Sequence, residues 1–209
     1  MAVAALVLVS FAVLGTGLVA LTFKATEQII ADNEQAALLA NLNALVPPAQ
    51  YDNALTEDLI WITDQGLLGT EEPVPVYRAF KDGKPVAMLA TPVAPDGYSG
   101  TIKLLVGVYA DGTLAGVRVL AHKETPGLGD AIEATRSDWV LTFSGKSLGN
   151  PQPKAWAVKK DGGVFDQFTG ATITPRAVVK AVRQFLVYFQ QHRDRLLANP
   201  ANAQTGEIP

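Results

Sequence analysis

The chain has 209 residues, a formal net charge of −3 and no cysteine. That length supports one domain with a real core, with residues left over for an anchor and a stalk. Without cysteine there are no disulfides, thiolate zinc sites, iron–sulfur clusters or cysteine nucleophiles, and the lack of a Lys/Arg-rich stripe argues against nucleic acid as a partner.

Residues 2–23 carry no charged side chain. As a helix they span roughly 33 Å, enough to cross a hydrocarbon core of about 30 Å. Ser10, Thr16 and Thr22 are tolerable there because their hydroxyls can bond back to the helix. A cleaved signal peptide has a shorter apolar region, a basic start and a small-x-small site. Here the run is too long for that and no Lys or Arg precedes it, so residues 1–23 read as a retained transmembrane anchor. Charge selects no orientation: the α-amine is the only cation before the helix, and Lys24 follows it.

Residues 24–48 read as a helical stalk. Ile29, Ile30, Leu38, Leu39, Leu42 and Leu45 recur among polar residues, and Pro47-Pro48 stops the helix. Residues 49–73 show a mixed pattern. Strands then dominate. Val74–Phe80 and Pro85–Val93 flank an Asp82-Gly83 turn, and Gly100–Ala110 and Thr113–Ala121 flank Asp111-Gly112. Asp96-Gly97 separates the two hairpins. Residues 130–143 read as a helix with Ile132, Trp139, Val140 and Phe143 inward, and Ala155–Lys160 as a short strand. The last helix starts near Pro175, with Val178, Val182, Phe185, Leu186 and Phe189 at helical spacing. Residues 199–209 form a polar tail, expected to be mobile. The order of elements predicts one α+β domain over 49–198.

Two loops carry candidate chemistry. In Asp166-Gln167-Phe168-Thr169-Gly170-Ala171-Thr172-Ile173-Thr174-Pro175, Thr174-Pro175 reads as an N-cap followed by proline at the first helical position. The helix start supplies free N–H groups and the positive end of the dipole, a site for a phosphate. Gly170 and Ala171 let a bulky group approach the backbone. Physics alone leaves two readings open, a phosphate site and a plain loop entering a capped helix. The other loop is His122-Lys123-Glu124-Thr125-Pro126-Gly127-Leu128-Gly129-Asp130. Gly127-x-Gly129 lacks the third glycine of a dinucleotide fingerprint. His122 has one other histidine in the chain, His192, so no metal site is expected.

Asp166, Thr169, Gly170, Ala171 and Thr172 match the Asp-x-x-(Ser/Thr)-Gly-Ala-Thr flavinylation motif of FMN-binding domains in Rnf and Na⁺-pumping quinone reductase complexes. Glu124-Thr125-Pro126-Gly127-Leu128-Gly129 looks like a second signature of that domain family, and Gly97-Tyr98-Ser99-Gly100 a third. With the anchor and the compact length, the chain resembles the G subunits of Rnf complexes. The resemblance implies a single N-terminal transmembrane helix followed by one extracytoplasmic FMN-binding domain, with core signatures over 97–190. It implies FMN joined to Thr172 by a phosphoester, put there by a dedicated flavin transferase. It implies a periplasmic domain on an inner-membrane anchor in lipid, and the other Rnf subunits (A, B, C, D, E) as partners. Electrons would be relayed in a complex coupling ferredoxin–NAD electron flow to ion translocation, without independent substrate turnover.

Beside Thr172, roles are expected for eight residues. Thr169 and the backbone at Gly170 and Ala171 would hold the phosphate. Glu124 and Thr125 would bond the flavin edge or ribityl chain, and Leu128 and Gly129 would pack on the ring. Asp166 would serve motif recognition or a turn, since a carboxylate repels phosphate. Two other functions stay in view: the C subunit of the Na⁺-pumping quinone reductase, which is longer, and a membrane-anchored assembly module without flavin. A free-standing extracytoplasmic flavin reductase would need a substrate pocket that the sequence does not reveal.

Overall fold

The structure, a computed structural model, describes residues 2–198. The expected tail at 199–209 lies outside the described residues. The chain divides into two compact units, one ending at Ala40 and one starting at Asn41.

The first unit is helical. Helix α1 (Ala2–Leu45) starts here and is the one helix among the described residues long and apolar enough to cross a membrane. Ser10 and Thr22 donate to the carbonyls of Leu6 and Leu18 at 2.9 and 2.8 Å, so their polarity is absorbed within the helix as expected. Leu6, Leu8, Phe11, Leu14, Leu18 and Leu21 are all exposed, the pattern of a segment whose apolar surface needs a non-aqueous surrounding.

The second unit is an α+β domain built on an antiparallel sheet. Its strands are β1 (Leu59–Ile62), β2 (Val74–Lys81), β3 (Lys84–Ala90), β4 (Val93–Gly97), β5 (Gly100–Tyr109) and β6 (Leu114–Ala121). Both expected hairpins form. β2 pairs with β3 around Asp82-Gly83, where Asp82 (φ 50°) and Gly83 (φ 69°) are both left-handed, as a type I′ turn requires. β5 pairs with β6 around Asp111-Gly112. Sequence reasoning missed β4, which it read as a bare turn. β3 pairs with the far half of β5, Val106 to Tyr109, and β4 with its near half, Gly100 to Lys103. Thr91-Pro92 lies between these two runs. Proline cannot donate to a ladder, so the edge breaks there and resumes.

Residues 49–73, unassigned from sequence, supply β1 and the short helix α2 (Gln65–Leu68), capped by the Asp64 carboxylate, which accepts from Leu67 N–H. The alternating residues Ile102, Leu104, Val106 and Val108 of β5 face the main core, joined by Val76, Met88, Ala90 and Val117. Helix α3 (Ile173–Leu196) covers them with Val178, Val182, Phe185, Leu186 and Phe189, as its spacing predicts. On the other face Leu89 and Leu105 are buried too, and the end of α1 contributes Leu42 and Leu45. Leu45 lies where Gly116 (φ 159°) has no side chain: a Cβ there would sit 2.8 Å from Leu45 Cδ2.

Two element assignments change. Residues 130–143 form two 3-10 turns, Gly129–Ile132 and Asp138–Phe143, not an α-helix. Ser137 is the cause: its backbone is extended, its hydroxyl donates to Ala131 O at 2.6 Å, and it accepts from Trp139 N–H at 3.2 Å. The four inward residues are nonetheless buried as expected. Ala155–Lys160 is not a strand. It contains parts of two 3-10 turns and one isolated bridge, Val158 to Phe165, where the chain doubles back so tightly that a Cβ on Gly163 would overlap the Ala157 carbonyl.

Candidate functional site

The Asp166–Pro175 segment is fixed from one side. Trp139 Nε1 donates to Asp166 O at 2.7 Å, and its ring meets Phe168 edge-on at 5.2 Å. Phe168 to Ala171 makes a tight turn closed by Ala171 N–H to Phe168 O at 3.2 Å, with Gly170 left-handed at φ 81°. That φ at the third turn position is what type II geometry demands of a glycine. Asp166 is exposed and ion-paired with Lys159 at 2.6 Å. Asp161 and Arg176 form an exposed two-pronged pair, which holds the Asp161 carboxyl below its usual range.

Helix α3 starts earlier than the sequence suggests. Its first residue is Ile173, Thr172 occupies the cap position with helical dihedrals, and Thr174 lies inside the first turn. Thr174 is therefore not the N-cap. Its hydroxyl is fully buried and donates to Glu124 Oε2 at 2.5 Å. A carboxylate brought in from another loop takes the hydroxyl away from local capping, because a charge-assisted bond is the stronger one.

Thr172 differs in every respect. It is half-buried, and among the described residues its hydroxyl has no hydrogen-bond partner. It sits at the start of a 24-residue helix, where the Ile173 and Thr174 amides have no intrahelical acceptor; Pro175 has no N–H, and Arg176 N–H donates to Thr172 O at 3.4 Å. Thr169, three residues back, is exposed.

The second loop reaches this place through Glu124 and Leu128. Glu124 is buried at 4% exposure, and its Oε1 accepts from Ser99 N–H at 3.0 Å. Its Oε2 takes the Thr174 hydroxyl. One carboxylate thus ties together the turn at Gly97–Gly100, its own loop and the start of α3. The glycines make the room: a Cβ on Gly129 would lie 2.9 Å from Glu124 Oε2, and one on Gly97 would lie 3.0 Å from Glu124 Oε1. The carbonyl of Thr125, an exposed residue, accepts from Leu128 and Gly129 N–H, curling the loop over Gly127 (φ 77°). Leu128 is then left 44% exposed, and a Cβ on Gly170 would touch its Cδ2 at 3.5 Å. Ile173 and Val164, each more than 40% exposed, add apolar surface to the same segment.

All three sequence signatures therefore meet in space. Sequence reasoning missed Trp139 and Lys159 as supports of the loop and placed Thr174 wrongly. Trp139 was legible only as a core residue, since an indole N–H shows its acceptor only in three dimensions.

This is a domain in which three Gly-containing loops are tied together at a helix start that presents a free threonine hydroxyl, and residues 97–187 match the FMN-binding domain family. Residues 1–45 match the family described as RnfG N-terminal region. The chain is 51% identical over 194 residues to the G subunit of the ion-translocating oxidoreductase complex of Shewanella loihica, covering 93% of this chain and 92% of that one. It is 54% identical over 194 residues to the corresponding protein of Pseudomonas aeruginosa, covering 93% and 91%. The chain belongs to the family of G subunits of ion-translocating oxidoreductase complexes.

Proposed function

We propose that this protein is the electron-transfer G subunit of a membrane-bound Rnf complex and relays electrons through FMN held on Thr172 by a phosphoester. The observation that carries the reading is the contrast at the start of α3: Thr174 is buried and committed to Glu124, whereas Thr172 offers an unpartnered hydroxyl. The residues fit the group. The Ile173 and Thr174 amides suit a phosphate. The Gly170 turn leaves space above the backbone, and Leu128 and Ile173 present apolar surface for a flat ring.

FMN supplies one- and two-electron redox chemistry, and each 59 mV, roughly, in a one-electron couple is a tenfold change in equilibrium. The chain's own residues position it. Thr169 and the backbone at Gly170 and Ala171 would hold the phosphate, the Ala171 N–H being shared with the Phe168 carbonyl. Leu128 would pack on the ring and Thr125 would reach its edge, while Gly129, buried against Glu124 and Thr174, would shape the loop beneath the ring. Glu124 acts through Thr174 and Ser99, because both its oxygens are already engaged. Asp166, exposed beside Lys159, is a handle for the flavin transferase that forms the bond. A covalent tether keeps the carrier loaded outside the cytoplasm, where no FMN pool replenishes it.

In this reading α1 anchors the chain in the inner membrane with its domain in the periplasm. The A, B, C, D and E subunits are its partners, and electron flow between ferredoxin and NAD drives ion translocation. The test uses full-length protein co-expressed with a flavin transferase, denatured and resolved on a gel. Wild type gives a fluorescent flavin band that Thr172→Ala abolishes. A dark wild-type band, with the transferase active on a control protein, overturns the reading.

A further inference from the structure

The contacts of Glu124 extend outward in a chain that the flavin chemistry does not require. His122 Nδ1 lies 3.0 Å from Glu124 N, and His122 Nε2 lies 2.6 Å from Glu133 Oε1. A backbone N–H can only donate, so Nδ1 must present its lone pair. Nε2, facing a carboxylate, must then carry the proton. The pair with Glu133 is therefore a hydrogen bond from a neutral imidazole rather than an ion pair. The chain runs Glu133, His122, Glu124 N–H, then the Glu124 carboxylate, then the hydroxyl of Thr174, two residues from Thr172.

We propose that His122 is a positioning residue for the flavin-bearing start of α3, acting in its neutral Nε2–H form through Glu124. The proposal rests on the reading of Thr172 as the attachment site. With neutral His122, the Glu124 amide is held and the carboxylate points at Thr174. A proton on Nδ1 sets two N–H groups against each other, so the Glu124 backbone must move away from the ring. The protonated ring gains attraction to Glu133, but that attraction is directed at Nε2 and does not restore the acceptor at Nδ1. Other charged groups facing His122 are few. Lys103, Lys123 and Glu72 line the cleft on one side, and Arg118 and Glu133 the cleft on the other.

The test uses the full chain in detergent micelles, first without flavin. Nitrogen-detected NMR of the His122 ring, with hydrogen exchange at the Glu124 amide, follows the titration over about pH 8 to 5, where imidazoles gain their proton. The expected result is the Nε2–H tautomer at the alkaline end, with loss of Glu124 amide protection tracking protonation of the ring. An asparagine amide oxygen can stand where Nδ1 stands, so His122→Asn keeps the amide protected and removes its pH dependence. His122→Leu loses about tenfold in protection, as expected when a buried donor loses its acceptor.

The same variants are then loaded with flavin by the transferase, and the visible circular dichroism of the bound flavin is followed against pH. It changes with pH in wild type and not in His122→Asn. An Nδ1–H tautomer, or a pH response that persists unchanged in His122→Asn, overturns the proposal. Failure of wild type to load overturns instead the flavin reading, and the tautomer and exchange results stand apart from it.

Discussion

The domain holds two polar sites of opposite character. At Arg78, on β2, every donor group is used: Nε and Nη2 meet Asp58 Oδ1 at 2.8 and 2.5 Å, and Nη1 donates to Ala198 O at 2.9 Å. Asn53 closes the same knot, donating to Arg78 O and accepting from Phe80 N–H, each at 2.8 Å. At the start of α3, by contrast, Thr172 leaves its hydroxyl unpartnered next to exposed Ile173, with exposed Leu128 against the Gly170 turn. Polar groups that serve stability are saturated by their own chain, because an unsatisfied buried group is costly. Groups that serve a ligand stay open, and the loop tolerates exposed apolar surface around them.

Substitutions sharpen this contrast. Asp58→Ala has the largest effect on folding, costing about 3–5 kcal/mol because it leaves the Arg78 charge buried without a partner. Urea unfolding measures it, and the fraction that stays folded still takes up flavin on Thr172. Thr174→Val comes next. It removes the hydroxyl that the Glu124 carboxylate accepts from, costing about 1–3 kcal/mol by the same measurement. It also slows flavin attachment, whereas Thr172→Ala leaves the urea midpoint where it was and abolishes attachment. Trp139→Phe loses one bond to Asp166 O and costs about 1 kcal/mol, with partial loss of loading. Lys159→Ala removes an exposed pair and changes stability by less than about 0.5 kcal/mol.

The smallest effect depends on pH. The hydrogen bond from His122, and after it that from Thr135, holds the Glu133 carboxyl below its ordinary value. A depressed folded value means the contribution is fully present above the unfolded value, about 4.3, and is lost as pH falls through the folded one. His122→Ala therefore narrows the stability gap to wild type as the pH of urea titrations is lowered through that window. A gap that widens instead contradicts the sign.

Much of the contrast was legible in the sequence, for reasons that differ between the two sites. The hairpins announced themselves through Asp-Gly turns between β-branched runs, and α3 through its apolar spacing. The Gly170-Ala171-Thr172 core of the site was legible as a motif. What stayed hidden depended on partners far away in the chain. Thr174 looked like a cap because local sequence offers nothing else for it, and only the fold brings Glu124, fifty positions earlier, within reach. Arg78 and Asp58 are ordinary surface residues by type, and their burial follows from β1 pairing with β2, a pairing that the mixed 49–73 pattern did not predict. Ser137 split an expected helix because its hydroxyl found Ala131 O, a choice between local bonds that periodicity does not register.

The central claim is that one particular hydroxyl carries the flavin. Mass spectrometry of tryptic peptides from transferase-loaded protein tests it most directly, since cleavage after Lys160 and Arg176 isolates Asp161–Arg176 with Thr169, Thr172 and Thr174 together. The account predicts that this peptide gains the mass of one FMN less one water, with fragment ions placing it on Thr172. An adduct on Thr169 or Thr174, or the unmodified peptide from protein that was exposed to active transferase, would contradict it.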